Sequence, residues 1–63
     1  MDDDIDIMNK HGVSVLGGGT IVIMFPPPGL TKNESLVFAA WLVAMADPLG
    51  DKFPAVLERV QNS

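Results

Sequence analysis

Cysteine and tyrosine are absent from this 63-residue chain, and histidine and tryptophan occur once each. Without cysteine the chain has no disulfides and no cysteine-based zinc sites, and His11 alone cannot build a histidine-rich metal site. A chain of this length buries only about 60% of its extended-chain surface on folding. Small folds usually compensate with disulfides, a metal or association. We therefore expect no cofactor, and stabilisation by dense packing or by association.

Long hydrophobic runs are also missing. The longest apolar run, 36–46, is shorter than the roughly 20 residues that span a bilayer. The N-terminus reads MDDDIDI, where a signal peptide would carry basic residues. At 48% hydrophobic residues the chain is too apolar for disorder. The sequence thus predicts a folded, soluble, cytoplasmic protein that does not engage a membrane.

Basic residues are scarce: four face eight acidic residues, for a net charge of −4. Asp2, Asp3, Asp4 and Asp6 supply half of the acids, so the excess negative charge lies at one end. This disfavours direct nucleic-acid binding, which needs a basic footprint, and favours a protein partner with a basic surface. Residues 1–4 could instead form a frayed, solubilising tail. A divalent-cation site is a third alternative, although the spacing does not match a calcium loop.

The first half of the chain predicts three short strands. Acidic and β-branched residues alternate over 4–7, the period of a half-buried strand. Apolar residues at 13–16 and 20–25 predict two more strands, joined by the glycines at 17–19. The prolines at 26–28 then end the sheet, because proline cannot donate a ladder hydrogen bond.

Both faces of this predicted sheet are apolar. With a two-residue turn at Gly17-Gly18, Val15 opposes Thr20, and one face carries Val13, Val15, Val22 and Met24. The other face carries Leu16, Ile21, Ile23 and Phe25. One helical layer covers one face, and an antiparallel sheet in a monomer normally has a solvated face. The surplus face predicts a partner, most simply a second copy in a homodimer.

Two helices should follow. Thr31 and Glu34 match the capping box that opens a helix, and Pro48 should end that helix near Asp47. Its bulky residues share one face, and its alanines lie on the other. Asp51 could cap a second helix, whose apolar stripe is Phe53, Val56, Leu57 and Val60.

Catalytic motifs are not recognisable. Gly17-Gly18-Gly19-Thr20 lacks the lysine of a phosphate loop and leads into a strand, so we interpret it as a hairpin turn. His11 lies in a predicted turn without a nucleophile placed beside it, which favours a solvated side chain. No residues supply a nucleophile, a base and its orienter, so we expect a non-enzyme. Trp41 is interpreted as a core residue, with an interface anchor as the alternative.

Two short stretches carry a resemblance to known proteins. Gly29-Leu30-Thr31-Lys32 followed by Ala39-Ala40-Trp41-Leu42-Val43 resembles short proteins encoded by phages and prophages. In those proteins a glycine-punctuated β-meander leads into one apolar Ala-Trp-Leu helix. The chain's small size, acidity and lack of cysteine are also similar to anti-CRISPR proteins. The resemblance implies an inhibitor of host defence and assigns no functional residue by position.

Together these observations predict one α+β domain over 1–63, a three-stranded antiparallel meander followed by two helices. The expected function is inhibition of a host nucleic-acid-binding defence complex, such as a CRISPR effector, in the bacterial cytoplasm. The acidic end, Asp2, Asp3, Asp4 and Asp6, would mimic DNA. The alternative is a self-associating interaction protein without an inhibitory role.

Overall fold

The computed structural model describes residues 5–63. Two antiparallel strands, β1 (Val13–Val15) and β2 (Ile21–Ile23), precede two helices, α1 (Lys32–Ala46) and α2 (Phe53–Gln61). The α+β class and the order of sheet before helices are confirmed. The three-stranded meander is wrong, because the described residues contain two strands.

The segment predicted as the first strand does not pair with the sheet. Residue 4 lies outside the described residues, and 5–7 are irregular. The Asp6 carboxylate accepts a hydrogen bond from the Met8 amide at 3.0 Å, and the Ile7 carbonyl accepts one from the Trp41 indole at 2.9 Å. Side chains thus satisfy backbone groups that a strand would have bonded to a neighbour. The alternation of residues predicted a half-buried strand, but 5–7 are irregular, and both Ile5 and Ile7 are exposed.

The hairpin has a three-residue loop rather than a two-residue turn. The amide of Leu16 donates to the Thr20 carbonyl at 2.8 Å, and the amide of Gly19 donates to the Leu16 carbonyl at 3.0 Å. Gly18 and Gly19 both have positive φ, 92° and 87°, and a side chain would strain both positions. The extra residue moves the register, so Val15 pairs with Ile21 and not with Thr20.

This register changes which residues share a face of the sheet. Val13 pairs with Ile23, two positions before the Val15–Ile21 pair, so these four side chains lie on one face. Val22 pairs with Ser14 on the opposite face, and Met24 follows the end of β2. The predicted face of Val13, Val15, Val22 and Met24 is therefore wrong as a single surface, because a one-residue shift moves a side chain across the sheet. Self-association through these residues stays a prediction.

Helix α1 packs on the hairpin with its bulky side. The half-buried residues of that side are Phe38, Trp41, Leu42 and Met45. The alanines at 39, 40, 44 and 46 are exposed, as is Leu36. This division between bulky and alanine faces agrees with the sequence. Val13 in β1 is 2% exposed and is the one fully buried side chain of the described residues.

The capping box predicted for α1 is confirmed. The Thr31 hydroxyl oxygen accepts a hydrogen bond from the Glu34 amide at 3.1 Å, and the Glu34 carboxylate accepts one from the Thr31 amide at 2.8 Å. The Thr31 amide also holds the pKa of Glu34 below its ordinary value, because a hydrogen bond to the carboxylate favours the charged form.

Asp47, rather than Asp51, caps α2. One Asp47 carboxylate oxygen accepts hydrogen bonds from the Lys52 amide at 3.0 Å and the Phe53 amide at 2.8 Å. These amides lie at the start of α2, where the first turn leaves donors without helical partners. The cap therefore comes from the end of α1, and it fixes the connection between the two helices.

Acid should loosen this junction. The Phe53 amide, and then the Lys52 amide, hold the pKa of Asp47 below its ordinary value of 3.8. Because the folded-state pKa is the lower one, this stabilisation is complete above the unfolded-state pKa and is lost as pH falls through the folded-state pKa. We expect Asp47→Asn, which retains an acceptor oxygen but does not titrate, to lose less helical circular dichroism on acidification than the wild type. Identical acid profiles would contradict the role of Asp47.

Candidate interaction surfaces

The acidic end contributes one described carboxylate, Asp6. Asp2, Asp3 and Asp4 lie outside the described residues. Asp6 forms an ion pair with Lys10, at 2.9 Å between carboxylate oxygen and Nζ. The pKa of Asp6 is lowered first by the Met8 amide and then by Lys10. The charge of Asp6 is thus offset within the chain by Lys10.

A cleft of about 220 Å³, lined by both polar and apolar side chains, lies between the N-terminal segment and the first half of α1. The Asn9 side chain exchanges two hydrogen bonds with the Val13 backbone, each of 2.9 Å. The cleft is also lined by Lys10, which pairs with Asp6, and by Glu34, which caps α1. Its polar groups hold the fold together, so the cleft does not present a set of free groups to a ligand.

His11 is a structural residue of this cleft. Its Nδ1 lies 2.8 Å from the Phe25 carbonyl oxygen, and its ring meets Phe38 edge to face, 5.3 Å between centroids at 88°. The sequence favoured a solvated turn histidine: His11 does lie in a turn, but it is half-buried rather than fully solvated. No local signal could reveal it, since Phe25 and Phe38 are distant in sequence.

Metal-binding clusters are not found within 5–63, where no three His, Cys, Asp or Glu residues are grouped to hold an ion. Over the same residues, no helix combines the length and the apolar character that crossing a membrane requires.

An apolar groove of about 400 Å³ runs along the exposed side of α1. Its lining comes from the N-terminal segment and from α1. The lining residues used below are Ile5, Ile7, Leu36, Ala40, Trp41 and Ala44. None of these side chains is charged, so the groove can offer a partner burial of apolar surface and little else.

Helix α2 displays a second apolar surface. Its stripe faces solvent, with Val56 54% exposed, Leu57 40% and Val60 63%, and Phe53 is half-buried. Within the described residues, α2 has no extensive contact with the strands or with α1. An amphipathic helix normally buries such a stripe. The sequence therefore predicted the stripe correctly, and the fold leaves it uncovered.

The chain is open for its size. Its accessible surface is 5194 Å², whereas folded monomers of 6.7 kDa expose about 3,900 Å². Its radius of gyration is 12.8 Å, and a compact domain of this length has about 10.6 Å. The chain therefore exposes about 1,300 Å² more than a compact monomer of its mass.

No protein-family model, curated protein or solved structure matches this chain.

Proposed function

We propose that this chain is a small binding protein that acts by protein–protein contact and performs no chemistry of its own. One observation carries the proposal: among residues 5–63, thirteen large hydrophobic side chains are more than a third exposed, and a single side chain forms the buried core. Contiguous apolar surfaces on small proteins mark interaction sites. The groove and the α2 stripe are two such surfaces.

The specific role that we propose is inhibition of a host nucleic-acid-binding defence complex in the bacterial cytoplasm. The net charge of −4 supports this role through its placement. Residues 5–63 carry five acids and four bases, a net charge of −1, and Asp2, Asp3 and Asp4 supply the other three charges. A dense acidic end on a near-neutral chain suits a basic nucleic-acid channel, where it competes with phosphates.

A competition assay tests this role. Wild-type protein should lower the fraction of labelled target DNA bound by a purified CRISPR effector complex. Changing Asp2, Asp3 and Asp4 together to Asn should abolish most of the inhibition and flatten its salt dependence, because contacts between exposed charges are screened by salt. Asp6→Asn alone should have a smaller effect, since Lys10 already offsets that charge.

Glu58→Gln is the matched control, because it removes a negative charge from an exposed position far along the chain. It should inhibit as well as the wild type. If the triple Asn variant inhibits equally well with unchanged salt dependence, DNA mimicry is wrong. If the wild type leaves DNA binding unaffected, inhibition of this class of complex is wrong.

Self-association without an inhibitory role is the second candidate. The uncovered apolar surfaces favour it, since they require a partner and carry no charge that selects a basic one. The oligomeric state of the purified protein in solution tests whether the chain self-associates.

A further inference from the structure

The groove along α1 and the stripe of α2 are both apolar, and neither is covered by other side chains of residues 5–63. We propose that two copies of this chain form a dimer in which α2 of each copy lies in the groove of the other. This inference rests on the proposal that the apolar surfaces bind protein, and it is independent of the inhibitory role.

The two surfaces match in length. The groove runs along α1 from Leu36 to Ala44, eight residue steps or about 12 Å. The α2 stripe runs from Phe53 to Val60, seven steps or about 10.5 Å. The groove lining includes Ala40 and Ala44, whose small side chains let another helix approach closely. Valine and leucine side chains of α2 can then pack as ridges between them.

The connection between the helices is held by a side chain of α1's C-cap residue, Asp47. The Asp47 carboxylate, at the end of α1, accepts hydrogen bonds from the Lys52 and Phe53 amides at 3.0 and 2.8 Å. These bonds link the end of α1 to the start of α2. Within residues 5–63, α2 leaves its stripe exposed and contributes no residue to the groove on α1. A second copy can provide both missing contacts at once, because each copy carries one stripe and one groove.

The surface area agrees with a dimer. A stable interface of standard size buries about 800 Å² on each partner. The whole chain exposes about 1,300 Å² more than a compact monomer of its mass, which exceeds the area that one copy contributes to such an interface. Each copy inserts its α2 into the groove of the other, so the two contacts are equivalent, as a two-fold symmetric interface requires. The groove lining is uncharged, so closing it leaves no unpaired charge behind.

Sedimentation of the purified full chain tests the proposal. The wild type should reach twice the monomer mass of 6.7 kDa across a dilution series. Emission from Trp41, which lines the groove, should shift to shorter wavelength as the dimer forms. Ala44→Glu in the groove and Val60→Glu on the stripe should each weaken dimerisation at least about tenfold, because each places a carboxylate in an apolar contact.

Matched controls use the same type of change on other faces of the same helices. Ala39→Glu and Ala55→Glu lie at exposed positions off the groove and off the stripe, and both variants should dimerise like the wild type. Because all four positions are exposed in the monomer, circular dichroism should show native helix content in every variant.

Mixing the two dimerisation-defective variants identifies the mode of contact. Ala44→Glu keeps a working stripe and Val60→Glu keeps a working groove, so an equimolar mixture should form a heterodimer through one intact contact. Disruption by only one of the two variants would indicate stripe-to-stripe or groove-to-groove pairing and overturn the proposal. A wild type that stays monomeric would also overturn it, while inhibition in the DNA competition assay would still support the proposed function.

Discussion

Val13→Ala should lower the free energy of unfolding by about 2 kcal/mol, from the loss of two buried methyl groups and the cavity that remains. Val13 is 2% exposed and is the one fully buried side chain of residues 5–63. A chain of this length has a total stability of roughly 3–9 kcal/mol. The substitution therefore removes a large fraction of it. Urea denaturation followed by Trp41 fluorescence measures the loss.

Val15→Ala is the control for this prediction. Val15 lies in the same strand and on the same face as Val13, but it is 45% exposed. Its replacement should cost less than about half as much, because exposed methyl groups lose little on truncation. Equal losses for the two variants would show that the core does not lie at Val13.

Gly12→Ala should lower the free energy of unfolding by about 2 kcal/mol for a different reason. Gly12 has a φ of 61°. In this left-handed conformation a residue with a Cβ atom is destabilised by roughly 1–2 kcal/mol, because the Cβ atom crowds the following carbonyl oxygen. A Cβ atom at this position would also lie 3.0 Å from Cβ of Met24, an atom next to the backbone that cannot rotate away. Backbone strain and crowding therefore act together at the start of the hairpin.

Two other glycines separate these effects. Gly18 has a φ of 92° but open space around it, and Gly17 has open space without a positive φ. Unfolding experiments on the three alanine variants should rank their costs as Gly12 greater than Gly18 greater than Gly17. A Gly12→Ala variant as stable as Gly17→Ala would contradict the close approach to Met24.

Features that depend on residues close together in the chain were predicted correctly, and features that depend on distant residues were not. The capping box of Thr31 and Glu34 and the apolar stripe of α2 lie within a few residues of chain, and both were predicted. The N-terminal segment was misassigned as a strand. Its Ile7 carbonyl accepts a hydrogen bond from the indole of Trp41, 34 residues away, and no local pattern predicts that contact. The cap of α2 was assigned to Asp51, whereas a turn between the helices brings Asp47 to it.

The candidate binding surfaces show the same division. The sequence identified the acidic end and an apolar surplus larger than one small domain can hide. It placed that surplus on a sheet face, using a hairpin register that is off by one residue. The groove could not be found in this way, because it forms only when Ile5 and Ile7 lie beside α1.

The sequence by itself determined the α+β class, the two helices and the amount of apolar surface, because composition and local periodicity fix these properties. Only the tertiary structure decided where that surface lies. Packing uses the bulky side of α1 against the hairpin and leaves the alanine side and the α2 stripe open. Contacts between residues far apart in the chain decide which surfaces remain uncovered. Such contacts cannot be predicted from a short stretch of sequence.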